Sequence, residues 1–246
     1  MDYKPQKNGV KKWAAFFLLP AFLLIQLTGC SPKAGKALPA RFKNRDVELV
    51  TSKGTLVLRL FDETPLHRDN FLQLVRARYY DEQVFHRVIQ QFMIQAGDPA
   101  SKNAADTTRL GNGGPGYTIP AEIRPAYFHQ KGALAAARTG DQVNPARASS
   151  GSQFYIVQGR IFTDAGLDSV EIYRLNGRKI SPAQREVYKT IGGAPHLDQA
   201  YTIFGEVRAG LAVVDSIAAV NTSGKNGGDR PLQPVKIIKA RLVRRN

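Results

Sequence analysis

Residues Phe85 to Asp98, reading FHRVIQQFMIQAGD, constrain the fold more than any other stretch of the chain. β-branched and aromatic residues fill both halves, Gln90-Gln91 separates them, and Gly97-Asp98 ends the second, so the stretch predicts two short strands joined by a tight turn. Alternation puts Arg87 and Ile89 on one face, Phe92 and Ile94 on one side of the second strand, and Met93 and Gln95 on the other. A guanidinium that stays charged at any ordinary pH is thereby set among large apolar groups and a carboxamide. That is an unusual composition for a pure core, although the residue types taken alone also admit a surface Arg87 over a core of Phe92 and Met93.

The chain has 246 residues, room for one large all-β domain and a leader. Its formal charge is +15; Lys4, Lys7, Lys11 and Lys12 against Asp2 give residues 1–29 a share of +3, leaving +12 for the rest. Such an excess suits anionic lipid surfaces or acidic partners. The basic residues are scattered without an aromatic-interleaved stripe, so no nucleic-acid partner is expected. Residues 1–29 have a lysine-bearing start and an apolar run from Trp13 to Leu27, too short to span a bilayer comfortably, and read as a signal peptide. The run ends in Leu27-Thr28-Gly29-Cys30, which resembles the lipobox of bacterial lipoproteins, and Cys30 is the single cysteine of the chain. The resemblance implies acylation of Cys30, anchorage in a lipid bilayer of the cell envelope, and, with Ser31 following, transfer to an outer membrane facing the periplasm. Residues 30–45 are rich in Pro, Gly, Ala and Lys and read as a flexible tether.

Beyond the tether, Val47–Ser52 and Thr55–Leu60 alternate around Lys53-Gly54, a hairpin pattern. Thr64-Pro65 predicts a helix start with the hydroxyl as N-cap, and Phe71, Leu74 and Val75 fall on one face of that helix. Leu110–Tyr117 is too rich in glycine for regular structure; a phosphate cradle is disfavoured because no strand-to-helix step and no Lys-Ser/Thr pair follows. Val213–Ala219 predicts a second helix and Val235–Val243 a closing strand. His67, His86, His129 and His196 have no metal-ligand spacing, so neither metal nor cofactor is expected. Asp62 and Glu63 read as solvated residues ahead of a helix.

The stretch at 85–98 closely resembles the signature F-H-R-[IV]-I-x-x-F-M-x-Q-x-G-D of the cyclophilin-type peptidyl-prolyl cis-trans isomerases. Gly132–Arg138 (GALAAAR), Gly151–Val157 (GSQFYIV), Leu197-Asp198 and Tyr201–Val207 (YTIFGEV) resemble further segments of that family in order, so the likeness covers residues 46–246. It implies a mainly β fold: a closed eight-stranded antiparallel barrel capped by two helices. Residues 163–194 are an insertion where typical members have only a few residues. Ser181-Pro182 predicts one helix in it, ending at Gly192-Gly193. Next to the site, the insertion reads either as a substrate-facing lobe or as surface decoration.

The resemblance implies rotation about X-Pro bonds of proline-containing polypeptides by a monomeric enzyme. Arg87 would donate to the prolyl nitrogen of the twisted amide, and Gln95 would hold a backbone group. Phe92 and Met93 match the floor of the proline pocket and Leu197 a wall. Ala137 and Arg138 match the strand that pairs with the peptide, Gln153 lies in the adjoining motif, and Gly111 and Asn112 match a loop lining a secondary pocket. Tyr155 stands where Phe is usual and brings a hydroxyl that needs a partner. Tyr201 and His196 replace a common His and a Trp that contacts cyclosporin. The alternative is a proline-peptide binding module or chaperone-like scaffold with little turnover; retention of Arg87 and Gln95 together favours the enzyme.

Overall fold

Apolar residues at every second position around Lys53-Gly54 fold into a hairpin of β1 (Arg45–Thr51) and β2 (Gly54–Leu60) in the computed structural model, which describes residues 1–2, 38–39, 42, 44–105 and 107–245. Apart from the first two, these residues belong to the compact unit Ser31–Asn246. Cys30, the signal segment and nearly all of the tether lie outside the described residues. Two of the described tether positions pack: Leu38 is buried in the core, and the Arg76 guanidinium sits 4.0 Å over the Phe42 ring.

The signature stretch forms β3 (Arg87–Ile89) and β4 (Met93–Ala96). With β6 (Ala133–Ala136), β8 (Phe154–Val157), β9 (Ile203–Ala209) and β10 (Ile237–Arg244) they complete an eight-stranded antiparallel sheet in the order β10-β1-β2-β9-β6-β8-β4-β3. A small ribbon of β5 (Thr118–Ile119) and β7 (Ser149–Ser150) stands apart. The expected closed barrel is not formed, because no ladder joins β3 to β10. β3 is three residues long, and the Val88 N–H that could face β10 donates instead to the Asp229 carbonyl at 2.9 Å. The gap is crossed by the segment ahead of β3, with Phe85 N–H to Val235 O at 2.9 Å, an isolated bridge from Val84 to Lys236, and bonds from Glu82 N and to Gln83 O at Ile237, at 2.8 and 2.7 Å. The architecture is therefore a half-barrel with four helices among the described residues.

Strand alternation divides the sheet's side chains between two clusters. Val88, Ile94, Ala96, Leu134, Ala136, Phe154 and Ile156 point into the main core with Leu49, Leu56 and Leu58. Met93, Ala133, Ala135, Tyr155 and Val157, one position out of phase, gather on the other face. Two helices cover the main core, α1 (Pro65–Arg76) through Phe71, Leu74 and Val75, and α4 (Leu211–Ala218) through Val214 and Ile217.

The N-terminus of α1 departs from expectation. The Thr64 hydroxyl makes no cap; its Oγ1 lies 3.4 Å from the Phe61 carbonyl. The Glu122 carboxylate takes that role, accepting from Leu66 N (3.1 Å) and His67 N (2.9 Å) and meeting His67 Nδ1 at 2.7 Å. A full negative charge at a helix N-terminus is a stronger acceptor than a hydroxyl, so the distant residue displaces the local one. Burial raises the Glu122 carboxyl, but the hydrogen bonds from the His67 ring and backbone outweigh it and hold the pKa below the ordinary value.

Residues 163–194, expected to be an insertion with one helix, form two. α2 (Asp164–Tyr173) starts at Thr163, whose hydroxyl accepts from Gly166 N at 3.1 Å. α3 (Pro182–Thr190) starts with a capping box between Ser181 and Gln184. Phe162, Leu167, Leu175, Ile180 and Tyr188 give the lobe its own small core.

Candidate active site

Strand register carries the site. Arg87 pairs with Gln95, Gln95 with Tyr155, and Tyr155 with Ala135, so one row across β3, β4, β8 and β6 aligns a cation, a carboxamide, a phenol and a methyl group. Facing side chains in neighbouring strands are about 5 Å apart, which sets the scale of the row. Above it opens a hollow of about 150 Å³ lined by Arg87, Phe92, Met93, Gln95, Ala137, Arg138, Tyr155, Leu197 and Tyr201. That is roughly the room of five liquid waters.

Phe92 lines this hollow beside Met93, not the Ile94 face that simple alternation gave it. It lies in the turn before β4, where Gln91 has a φ of 61° and breaks the period. The Phe92 carbonyl accepts from Gln158 N and Gly159 N, both at 3.0 Å, and its ring centroid lies 5.2 Å from that of His196. Desolvation and the nearby positive charge of Arg174 lower the His196 pKa to about 4, so this ring is neutral at physiological pH.

Arg87 is half-exposed, with Nε 3.5 Å from Asp229 Oδ2. Its two terminal nitrogens have no protein partner among the described residues. Gln95 donates from Nε2 to Gln153 Oε1 at 3.0 Å, and its own Oε1 has no donor among the described residues. Gln153 stands behind the hollow; its Nε2 donates to Gly111 O (2.9 Å) and Gly113 O (2.8 Å). Gly111 and Asn112 line a larger groove of about 760 Å³, which shares Gln95, Ala137 and Arg138 with the hollow, so the two adjoin.

Ala137 donates its N–H to Gln153 O (3.0 Å) and accepts from Ser150 N (2.8 Å), which leaves the second lone pair of its carbonyl for a ligand. The Arg138 side chain is nearly buried: Nε donates to Ala200 O (2.9 Å), Nη1 meets Asp141 at 2.6 Å, and the guanidinium lies 4.6 Å over the Tyr201 ring. It acts as a wall that fixes Tyr201.

The arrangement asks for a family with this row and this hollow. A family model described as cyclophilin type peptidyl-prolyl cis-trans isomerase matches residues 46–242. The chain belongs to this family of enzymes. Relatives include a peptidyl-prolyl cis-trans isomerase-like 1 of Neurospora crassa, 34% identical over 81% of this chain and 94% of the other. A putative peptidyl-prolyl cis-trans isomerase of Staphylococcus haemolyticus is 33% identical over 78% and 87%. Among solved structures, a cyclophilin type isomerase of Cryptosporidium parvum matches with a TM-score of 0.60 at 23% identity, over 82% of this chain and 99% of that one. The same protein in the presence of the dipeptide Ala-Pro gives 0.59 at 22%, over 81% and 99%. This structural likeness establishes the fold.

Sequence reasoning missed three supports of the cyclophilin site. Asp229, on the loop before β10, faces Arg87 while its carbonyl holds β3. Asp98, the last residue of the signature, accepts from Gly111 N (2.6 Å) and Gly113 N (3.1 Å), and so sets the shape of the glycine loop. Gly113 has no room for a Cβ, which would collide with this carboxylate. The third support is the partner that the Tyr155 hydroxyl needs. Tyr155 Oη lies 2.9 Å from His129 Nε2, His129 Nδ1 lies 2.9 Å from Asp198 Oδ1, and Tyr188 of α3 donates to Asp198 Oδ2 at 2.6 Å. Burial pushes both phenols well above their ordinary pKa, so they remain protonated donors. Buried phenols without acceptors are costly, and an out-of-family hydroxyl at Tyr155 was the signal that such a chain had to exist.

Proposed function

We propose that the hollow seats the proline ring of a polypeptide client and that Arg87 lowers the barrier to rotation about the preceding peptide bond. That barrier is about 20 kcal/mol because twisting removes amide conjugation. In the twisted state the prolyl nitrogen becomes pyramidal and regains a lone pair, which a donor can meet only then. A guanidinium with free terminal N–H groups, beside an apolar seat, suits that task. The free Oε1 of Gln95 accepts a client N–H and fixes the chain while the bond turns. The observation that carries this reading is that Arg87, Gln95, Phe92, Met93 and Leu197 line the same hollow.

A rate near 10³ per second requires the barrier to fall by roughly 6 kcal/mol from a reaction that otherwise takes tens of seconds. The test is a proline-peptide isomerisation assay on the full chain and on Arg87→Ala. A loss on the order of 10²-fold with the fold intact supports the mechanism. Equal rates leave only proline-peptide binding.

The setting of the reaction rests on the sequence. Acylated Cys30 would tether the enzyme, as a monomer, to the periplasmic face of a bacterial outer membrane, where it would act on exported polypeptides, with residues 46–246 as the isomerase domain. Two acyl chains suffice for stable anchorage. Fractionation of cells expressing the chain and its Cys30→Ser variant tests this: release of the variant into the soluble envelope fraction supports it, and membrane retention of both opposes it.

A further inference from the structure

The insertion carries its charges in two groups. Its carboxylates, Asp164, Asp168, Glu171 and Glu186, are all bound by Arg185, Lys189 and Lys179 at 2.7 to 3.1 Å. Arg174, which follows α2, has no carboxylate partner among the described residues and is exposed. Arg160, at the entrance to the insertion, is likewise exposed; its guanidinium rests 4.6 Å over the Phe162 ring, which leaves the charge unneutralised.

The turn Pro195–Leu197 supplies His196 and the pocket wall Leu197; Arg174 caps the C-terminus of α2, and Arg160 bonds to Gly193 just ahead of the turn. α2 packs directly against that turn, and Arg178 anchors the lobe below it through Nη2 to Asp198 O at 2.7 Å. Arg160 is fixed beside it by paired backbone bonds with Gly193, at 3.2 and 3.0 Å. The His196 ring lies against Phe92 of the proline hollow, and the positive charges of Arg174 and Arg160 are both felt at that ring. The Asp198 carboxylate opposes them at the ring but is itself buried and held by His129 and Tyr188, and each carboxylate of the lobe is already paired.

From this we infer that the insertion adds an acidic-residue subsite to the rim of the proline pocket, with Arg174 and Arg160 selecting clients that carry Asp or Glu close to the proline. The inference rests on the isomerase reading and names its substrate class. A formal excess of +12 beyond residue 29 already favours acidic polypeptides at long range, and the lobe focuses that preference at the reacting bond. Exposed pairs contribute little each, so the selection operates as a modest bias in kcat/KM.

The test uses the full chain and tetrapeptide substrates that differ only in Glu, Gln or Lys immediately before or after the proline. At low ionic strength the Glu peptide should exceed the Lys peptide by about two- to fivefold in at least one of the two positions. The preference should vanish near 1 M salt, where the screening length is about 3 Å. Arg160→Glu/Arg174→Glu should reverse the order while leaving the Gln peptide unchanged, since neither residue lines the hollow. An unbiased wild type, or a bias that survives the double substitution, overturns the inference. If no peptide is turned over, the isomerase reading fails by itself, and the same charge order is then sought in peptide affinity by fluorescence anisotropy. Its absence there also overturns the subsite.

Discussion

The hydroxyl of Tyr188, on a helix of the insertion, donates to Asp198 Oδ2 at 2.6 Å, and the opposite oxygen of that carboxylate orients the His129 ring beneath Tyr155. A helix of the segment 163–194 is thus linked through three hydrogen bonds to Tyr155, which lines the hollow. Tyr188→Phe keeps the packed ring and removes the donor. It should destabilise the protein by about 1–3 kcal/mol in urea unfolding, because a buried carboxylate oxygen loses its partner. Peptide KM should rise more than kcat falls; an unchanged midpoint and KM would show that the lobe is not coupled to the pocket.

Asp229 faces Arg87, the cation on which the proposed mechanism depends. Asp229→Asn retains an oxygen and the backbone bond to Val88 but removes the charge 3.5 Å from Arg87 Nε. We expect kcat to drop severalfold, far less than in Arg87→Ala, with KM nearly unchanged. A variant indistinguishable from wild type would assign Asp229 to the loop alone.

His86 should make stability fall in mild acid. Both of its ring nitrogens are buried with no well-aligned hydrogen bond among the described residues, and desolvation, with the Asp98 charge and the Gln153 side chain opposing and Arg87 assisting, lowers its pKa to about 4. The unfolded ring takes a proton near pH 6.5, so its contribution is complete above that value and is lost progressively as pH falls towards 4. The loss amounts to roughly 3 kcal/mol at most. Urea midpoints measured from neutral pH to about pH 4 should decline less in His86→Leu than in wild type; parallel curves would remove His86 from the account.

Glu122→Gln tests the long-range cap of α1. Exchanging the charge for a neutral amide should cost about 1–2 kcal/mol. The wild-type advantage is full above the ordinary carboxyl pKa and disappears as pH falls through the lowered folded value, so the two proteins should converge in acid. Curves that stay parallel would show that the charge is not what stabilises the helix.

The signature strands were legible because period-two patterning and a turn at Gln90-Gln91 are local properties. Phe92 escaped the pattern because one left-handed residue before it resets the alternation. The α1 cap was read at Thr64, yet its true partner is Glu122, distant in sequence, and no local spacing reveals that contact. Helix α2 is marked only by Thr163-Asp164 and carries Gly166 in its first turn, which obscured it. Barrel closure failed for a similar reason: whether β3 meets β10 depends on a loop carbonyl that claims the Val88 N–H. The residues of the hollow, by contrast, come together through strand register, and register follows from the pattern itself.

The lobe's private apolar kernel makes it a candidate cassette for transplantation between relatives. Its joints to the host include a guanidinium on a carbonyl at Asp198, a phenol on the same residue's carboxylate, and backbone bonds that tie Gly192 and Gly193 to Lys131 and Arg160. A shorter relative given residues 163–194 would accept them as a working part only where its own turn offers that aspartate backed by a histidine. Elsewhere the graft would hang as an inert ornament, folded but silent.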